Sequence, residues 1–248
     1  MDPAATAATG PALAANAISK RFGALMVLED VTVEIEPGTA LGIVGPNGAG
    51  KTTLLDVVAG ATRPDSGTVL LQGRDVTKLS TATRCHLGIG RTHQIPRPFT
   101  GMTVFENALV AATMGGRLHG SAAHDSALRA LELTSMLALG NRRADTLGLL
   151  DRKRLELARA LATAPQLLLL DEIAGGLTEP ETDELVEHIG ALHTQGLTLI
   201  WIEHVVHALV RVAERLICLA SGRIIADGDP RSVMSDRAVI DAYLGRAA

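Results

Sequence analysis

The segment that most constrains the fold of this 248-residue chain is the glycine-rich stretch Gly45–Thr52, which reads GPNGAGKT. It matches the pattern G-x-x-x-x-G-K-[ST] without a gap, and it lies between an apolar run at 40–44 and a predicted helix at 51–59. Glycines let successive backbone N–H groups converge on one point, and the N-terminus of the following helix favours an anion there. The stretch therefore predicts a phosphate-binding loop at the carboxyl end of a buried strand.

The residue types in this phosphate loop indicate a nucleoside triphosphate. Lys51 can reach the β- and γ-phosphates, and the hydroxyl of Thr52 can ligate Mg²⁺. The alternative is a glycine-rich turn that is followed by a lysine by chance. The match of all eight positions, between a predicted strand and a predicted helix, argues against it. The residues predicted to bind ATP are Gly45, Pro46, Asn47, Gly48, Ala49, Gly50, Lys51, Thr52 and Thr53.

A second chemical feature is a pair of acids at the end of the apolar run 167–170, LLLL. In P-loop folds an acid at such a strand end holds Mg²⁺, usually through water. Asp171 would serve the metal, and Glu172 would polarise the attacking water. Two adjacent carboxylates can also simply cap a strand in solvent, and it is the upstream phosphate loop that favours the metal site. Together the two motifs predict an ATPase that uses ATP and Mg²⁺.

Composition narrows the function further. A formal net charge of −4, with only three Phe, one Trp and one Tyr, argues against a nucleic-acid partner bound by bulk charge or base stacking. No run approaches the roughly 20 apolar residues that a membrane-spanning helix needs. Cys85 and Cys218 lack CxxC spacing, so neither a disulfide framework nor a zinc site is indicated. We expect a soluble chain with an aliphatic core.

Hydrophobic periodicity predicts an alternating β/α series in one α/β domain. Residues 1–13 would form a flexible tail and residues 14–248 the domain, with a helical subdomain inserted at about 95–160. The pattern thus predicts a P-loop α/β core with this helical insertion, and the resemblance to a known family, carried by the segments below, implies an N-terminal antiparallel β portion. Predicted strands lie at 31–35, 40–44, 67–71, 167–170, 197–202 and 215–219, predicted helices at 51–59, 103–114, 124–139, 151–163, 181–194, 204–213 and up to about Leu244, and a surface loop at 115–123.

Several segments, taken in order, carry a resemblance to a known family: GPNGAGKTT at 45–53, RTHQ at 91–94, RKRLELARAL at 152–161, LLLLDE at 167–172 and IEH at 202–204. Across residues 14–245 the chain resembles an ATP-binding subunit of an ABC transporter. The resemblance narrows to the ATPases of branched-chain (hydrophobic) amino-acid importers through the arginine-threonine lead into Gln94, MTVFEN at 102–107 and AYLG at 242–245.

The resemblance implies roles for several side chains. Gln94 would ligate Mg²⁺ or position the attacking water, because an amide can both accept and donate a hydrogen bond. Its loop would sense the membrane subunit. His204 would contact the γ-phosphate, and Phe22 would stack on adenine, with core packing as its alternative. The implied catalytic set is Glu172, His204, Gln94 and Lys51, and the implied metal set is Thr52, Gln94 and Asp171.

The resemblance also implies partners. Such a subunit pairs with a second ATP-binding subunit, identical or different, docks on two membrane permeases and serves a solute-binding protein indirectly. It would lie in the cytoplasm, peripheral on the inner face of the cell membrane, and couple ATP hydrolysis to permease movement. Urea, short-chain amides or another small solute are alternatives to branched-chain amino acids. A regulatory subunit that binds ATP without hydrolysing it is a further alternative, against which Glu172 and His204 argue.

One segment departs from the family pattern. Where the family has LSGGQ, this chain has Leu147, Gly148, Leu149, Leu150 and Asp151, and only the first leucine matches. In the family this signature segment binds the γ-phosphate held by the opposite subunit, at a helix N-terminus. Ile173 stands where the family usually has a proline after the glutamate. Thr178 stands where the family usually has an acid or an amide. We expect a complete half-site (one subunit's share of a joint ATP site) for this chain's own ATP. We expect an altered half-site for the partner's ATP, unless backbone contacts suffice.

Overall fold

The structure, a computed structural model, describes residues 10–244. Its strands are β1 Leu13–Phe22, β2 Leu25–Ile35, β3 Ala40–Val44, β4 Ser66–Leu71, β5 Arg74–Asp75, β6 Ile89–Arg91, β7 Leu167–Asp171, β8 Thr198–Ile202, β9 Arg215–Ala220 and β10 Arg223–Gly228. Its helices are α1 Lys51–Ala59, α2 Thr81–His86, α3 Val104–Val110, α4 Gly120–Leu133, α5 Leu149–Ala162, α6 Glu179–Thr194, α7 Val206–Val212, α8 Pro230–Ser235 and α9 Arg237–Tyr243. Of the predicted tail, residues 1–9 lie outside the described part, and the buried Leu13 begins β1. Gly245 of the AYLG segment also lies outside it.

The described residues form two β-sheets. The smaller one is antiparallel in the order β2-β1-β4-β5, which confirms the predicted N-terminal β portion. The larger one has the order β10-β9-β3-β8-β7-β6, in which β10 pairs antiparallel with β9 and the other pairs are parallel. Strands and helices alternate along the chain there, as the crossover connections of a parallel sheet require.

The larger sheet is buried on both faces, because its central strands are continuously apolar. Within β7, Leu168 and Leu170 pack toward the cluster formed with α3 to α6, while Leu167 and Leu169 pack toward α1 and the smaller sheet. The buried residues are mostly Leu, Val, Ile and Ala, with Trp201 as a fully buried aromatic side chain. The core is therefore aliphatic, as the composition indicates.

The topology brings three strand ends to one edge of the larger sheet. Strand β3 leads into the phosphate loop, β7 ends at Asp171, and β8 ends just before Glu203 and His204. Strand β8 lies between β3 and β7, so their carboxyl ends are neighbours. Ligands of open α/β sheets bind at this edge.

The chain between β6 and β7 is mainly helical. The helix expected at 124–139 was placed wrongly: α4 runs from Gly120 to Leu133 and so includes part of the loop expected at 115–123. It ends early because Ser135 has a left-handed backbone, with φ 55°. The helix expected at 103–114 divides into α3 and a π-helical turn at Ala111–Gly115. Within residues 10–244, no helix is long and apolar enough to cross a membrane.

Some elements have no periodic hydrophobic pattern from which they could be predicted. Strand β1 pairs with β2 through several register shifts, and Ala17 within it has φ 52°, so its side chains do not alternate cleanly. Strands β5 and β6 and helix α2 have two, three and six residues, which is too short for a periodic signal.

Candidate active site

The phosphate loop has a shape that only its glycines allow. Gly45 and Gly50 have φ angles of 145° and 102°, in the region that favours glycine. A Cβ atom on Gly45 would lie 2.0 Å from the carbonyl oxygen of Leu219, and one on Gly50 would lie 2.6 Å from that of Val27. The loop therefore packs tightly against the neighbouring strands and leads directly into α1.

Lys51 is buried at the start of α1. Its Nζ atom donates hydrogen bonds to the carbonyl oxygens of Gly45, at 2.8 Å, and Pro46, at 3.1 Å. Burial lowers the pKa of Lys51, because the charged form is desolvated. The ammonium group lies inside the loop, while Thr52 is exposed and Thr53 half-buried beside it.

Asp171 is buried at the end of β7 and pairs with Arg91 of β6. Arg91 donates from Nη2 to Oδ2 of Asp171 at 3.1 Å and from Nη1 to Oδ1 of Asp56 in α1 at 2.6 Å. Burial raises the pKa of Asp171, and the guanidinium of Arg91 opposes that effect. Arg91 thus connects Asp171 to the helix that follows the phosphate loop.

The three side chains of the predicted metal set fit Mg²⁺. Thr52, Gln94 and Asp171 all offer oxygen atoms, which this ion prefers, and a small set suits an ion that keeps several waters. Thr52 and Asp171 belong to the same sheet edge. The residues present therefore suit the ion that the sequence predicts.

Glu172 lies between the two other predicted hydrolysis residues. Nε2 of His204 lies 2.7 Å from its Oε1, and Nε2 of Gln94 donates to its Oε2 at 2.5 Å. The backbone of Glu172 is left-handed, with φ 46°, and its N–H donates to the carbonyl oxygen of Ile202 at 2.9 Å. The structure thus brings together side chains that follow β6, β7 and β8. We call Gln94, Glu172 and His204 the hydrolysis triad.

Four polar residues near these groups were missed in the sequence: Arg91, Lys153, Glu203 and Tyr243. Lys153 and Glu203 are buried, and the hydroxyl of Tyr243 in α9 accepts a hydrogen bond from the N–H of Gly45 at 2.8 Å. The sequence could have indicated Glu203, because it is an acid directly after an apolar run. Asp171 was identified from the same pattern at the end of the run 167–170. The other three lie within the segments RTHQ, RKRLELARAL and AYLG that carry the resemblance, but their contacts arise from packing between distant segments, which the sequence does not show.

The signature segment, Leu147–Asp151, leads into α5. Gly148 is the N-cap, with an extended backbone and no side-chain hydrogen bond. Leu149 is 46% exposed, and its side chain lies 3.4 Å from where a Cβ atom on Gly176 would be. A cleft of about 450 Å³ lies among Leu149, Gly176 and Gln94. The bulk of Leu149 therefore faces this cleft.

The two smaller departures from the family pattern have local structural reasons. Ile173 is buried in the apolar cluster of the helical side. Thr178 is the N-cap of α6, where its N–H and hydroxyl donate to the carboxylate of Glu181 in a capping box. Both residues therefore stabilise the fold around the loop that follows Glu172.

Phe22 lies at the end of β1 and is 52% exposed, which excludes core packing. Its ring centroid lies 5.4 Å from Nζ of Lys20, within the range of a cation–π interaction. Leu25 and Met26, at the start of β2, are also exposed. An exposed aromatic ring suits the predicted stacking on adenine, which stays a prediction.

A family model described as ABC transporter matches residues 28–175, which include the phosphate loop, Asp171 and Glu172. A second family model, described as branched-chain amino acid ATP-binding cassette transporter, matches residues 223–248.

Individual proteins are similar over nearly the whole chain. The high-affinity branched-chain amino acid transport ATP-binding protein LivG of Escherichia coli (strain K12) is 36% identical, over 96% of this chain and 99% of that protein. The corresponding protein BraF of Pseudomonas aeruginosa is 33% identical over the same shares. A crystal structure of an ATP-binding cassette of an ABC transporter in its ADP conformation has a TM-score of 0.88 and 30% identity, covering 96% of this chain and 100% of that one. The predicted fold class is thereby confirmed.

Proposed function

This chain belongs to the ATP-binding subunits of ABC transporters, and it is an ATP hydrolase. We propose that it drives the import of branched-chain amino acids. The solute class is supported by the family model over residues 223–248 and by relatives whose names state branched-chain amino acid transport. Residues 14–248 act as one nucleotide-binding domain, in which the segment from about 95 to 160 is the helical subdomain.

The observation that carries the hydrolytic assignment is the meeting of the hydrolysis triad with the phosphate loop at one sheet edge. The loop N–H groups and Lys51 bind the β- and γ-phosphates and offset charge that develops in the transition state. Phe22 stacks on the adenine. Thr52, Gln94 and Asp171 would hold Mg²⁺, which would supply further neutralisation of the charge on the phosphate oxygens.

Glu172 acts on the attacking water. It accepts a proton from the water as the water oxygen bonds to the γ-phosphorus, the bond to the β–γ bridging oxygen breaks, and ADP leaves. Each carboxylate oxygen can accept two hydrogen bonds, so Glu172 can keep its partners His204 and Gln94 while it accepts one from water. The two partners orient the carboxylate.

The altered signature segment supports a dimer with unequal ATP sites. This chain's phosphate loop and triad would hydrolyse ATP together with the signature segment of a second ATP-binding subunit. In the reciprocal site, Gly148 supplies no hydroxyl and Leu149 adds bulk at the surface. That site would therefore be weaker.

The partners also include two permeases, which place the chain on the cytoplasmic face of the membrane and receive the solute from a solute-binding protein. Large apolar side chains are exposed just after Gln94, on Ile95, Phe99 and Met102. Exposed apolar groups of this kind are typical of interaction surfaces. They support docking of a permease next to the triad.

Glu172→Gln tests the function, because an amide keeps the shape of the side chain and is a far weaker base. In the complete complex, reconstituted in vesicles, we expect ATP turnover and leucine uptake to fall by about 10²-fold or more, with ATP binding retained. Glu187→Gln, an exposed acid of α6, is the matched control. Normal turnover of Glu172→Gln would refute the assignment, and ATP-driven uptake of urea in place of leucine would refute the solute.

The same substitution tests the inequality of the two sites. The matching acid-to-amide change is made in the partner ATPase subunit. Turnover should be lost with Glu172→Gln in this chain. If only the partner's change abolishes turnover, the unequal-site proposal is wrong.

A further inference from the structure

Two oppositely charged side chains lie buried beneath the hydrolysis triad. Lys153 of α5 is 3% exposed, and Glu203, directly after β8, is 1% exposed. Burial lowers the pKa of Lys153 and raises the pKa of Glu203, because each charged form loses water. A buried charge is costly unless hydrogen bonds compensate it, so the bonds that these two groups make are informative.

Lys153 bonds the backbone of two members of the triad. Its Nζ atom donates to the carbonyl oxygen of Gln94 at 3.2 Å and to that of Glu172 at 3.5 Å. Gln94 follows β6, and Glu172 follows β7. One ammonium group therefore sets the spacing between the loops that carry the amide and the carboxylate.

Glu203 bonds the backbone of the remaining loops. Its Oε1 atom accepts a hydrogen bond from the N–H of Ala174 at 2.6 Å, and its Oε2 atom accepts one from the N–H of His204 at 3.2 Å. Ala174 lies two residues beyond Glu172. The carboxylate of Glu203 therefore joins the loop of Glu172 to the peptide of His204.

Glu172 needs this support because its backbone is strained. A non-glycine residue at φ 46° is in a sparsely populated backbone region, and the conformation persists only when its surroundings over-determine it. The carbonyl of Ile202 binds its N–H, Lys153 binds its carbonyl, and Glu203 holds the residues that follow. Without those contacts the backbone would relax, and the carboxylate would leave its place in the triad.

We propose that Lys153 and Glu203 are positioning residues, which set the geometry of the hydrolysis triad through its backbone. The inference rests on the hydrolytic roles proposed above for Gln94, Glu172 and His204. The hydrogen bonds of the two charges go to the loops of the triad, so they act on the chemical step and leave the binding of ATP to the phosphate loop. Lys153 also stands on the helix that the signature segment begins, and it links that segment to Glu172.

Lys153→Met tests the proposal, since it removes the ammonium group and keeps much of the side-chain length. In the complete complex we expect kcat to fall by about 10²-fold, the effect of a displacement of about 1 Å, while the KM for ATP changes less than about threefold. Lys153→Arg keeps a donor and should recover most of the turnover. An unchanged kcat, or a loss of ATP binding in step with kcat, would overturn the proposal.

Arg84→Met is the matched control, because it also replaces a buried cation by a neutral methionine. Arg84 is a buried cation that donates to the carbonyl oxygens of Val57 and Val58, away from the triad. We expect Arg84→Met to lower the melting temperature and to leave kcat per folded complex unchanged. Equal losses of kcat in Arg84→Met and Lys153→Met would assign Lys153 a general stabilising role and overturn the inference.

Glu203 is tested by two substitutions. Glu203→Ala removes both acceptors and should lower kcat as Lys153→Met does, with the KM for ATP retained. Glu203→Gln keeps one acceptor oxygen for the N–H of Ala174 and should recover part of the turnover. A kcat that stays normal in Glu203→Ala would remove Glu203 from the proposal.

A double substitution separates positioning from stability. In the Glu172→Gln background, Lys153→Met should cause no further loss of turnover, because both changes act through the same carboxylate. Independent, multiplying losses would contradict the inference. If Glu172→Gln itself keeps normal turnover, the proposed function fails. Normal turnover of Lys153→Met beside an inactive Glu172→Gln overturns this inference alone.

Discussion

Gly50 and Gly148 each precede a helix, one at the phosphate loop and one in the signature segment, and neither helix has a side-chain cap hydrogen bond. Their backbones differ. Gly50 has φ 102°, and a Cβ atom there would lie 2.6 Å from the carbonyl oxygen of Val27. Gly148 has φ −69°, and a Cβ atom there would meet no other described atom within 4 Å.

These two backbones show where the fold requires glycine and where it does not. At Gly50 the loop can close around a phosphate only if the residue has no side chain. At Gly148 the backbone would accept a serine, so the missing hydroxyl of the signature segment is not imposed by the fold. The proposed alteration of this half-site would therefore depend on the side chains of the signature segment and not on its backbone.

Of the substitutions at these two helix starts, Gly50→Ala should have the strongest effect. A left-handed conformation costs an alanine roughly 1–2 kcal/mol, and the contact with Val27 adds to that cost. We expect the affinity for ATP, measured with a fluorescent ATP analogue, to fall about tenfold or more. Gly148→Ala, the matched control, should leave this affinity within about twofold. Equal effects of the two alanines would show that the backbone does not constrain Gly50 more than Gly148.

A smaller effect is expected of Tyr243→Phe, which removes the hydroxyl that binds the N–H of Gly45. One hydrogen bond contributes about 0.5–1.5 kcal/mol, so the affinity for ATP should fall by about twofold to tenfold. Ile240→Ala, at a half-exposed position of the same helix, is the control. If Tyr243→Phe binds ATP as tightly as the unchanged chain, the loop is held by its glycines alone.

The smallest expected effect is that of Gly148→Ser. A serine at an N-cap exceeds glycine by only a few tenths of a kcal/mol, so the melting temperature should rise by about 1 °C. ATP binding at this chain's own loop should not change. A marked loss of stability, seen by calorimetry, would show that the signature segment is constrained as tightly as the phosphate loop.

Much of the fold was predictable because long elements carry a periodic pattern. Helix α1 begins and ends where the sequence predicts, and β3 and β7 follow the apolar runs at 40–44 and 167–170 closely. Strand β1 was not predicted, because a residue with positive φ disrupts its alternation. The end of α4 was wrong for a similar reason, since a left-handed residue stops a helix without leaving a mark in the hydrophobic pattern.

The phosphate loop and the acid pair of Asp171 and Glu172 can be read from the sequence alone, because each depends on a few consecutive residues whose backbone geometry follows from residue type. The tertiary structure is needed to bring Gln94, Glu172 and His204 together, since they follow strands far apart in sequence that the order β3-β8-β7-β6 makes neighbours. It also decided that Lys153 and Glu203 are buried there. A charged side chain loses its water only when distant segments close over it, and that closure depends on packing rather than on local sequence.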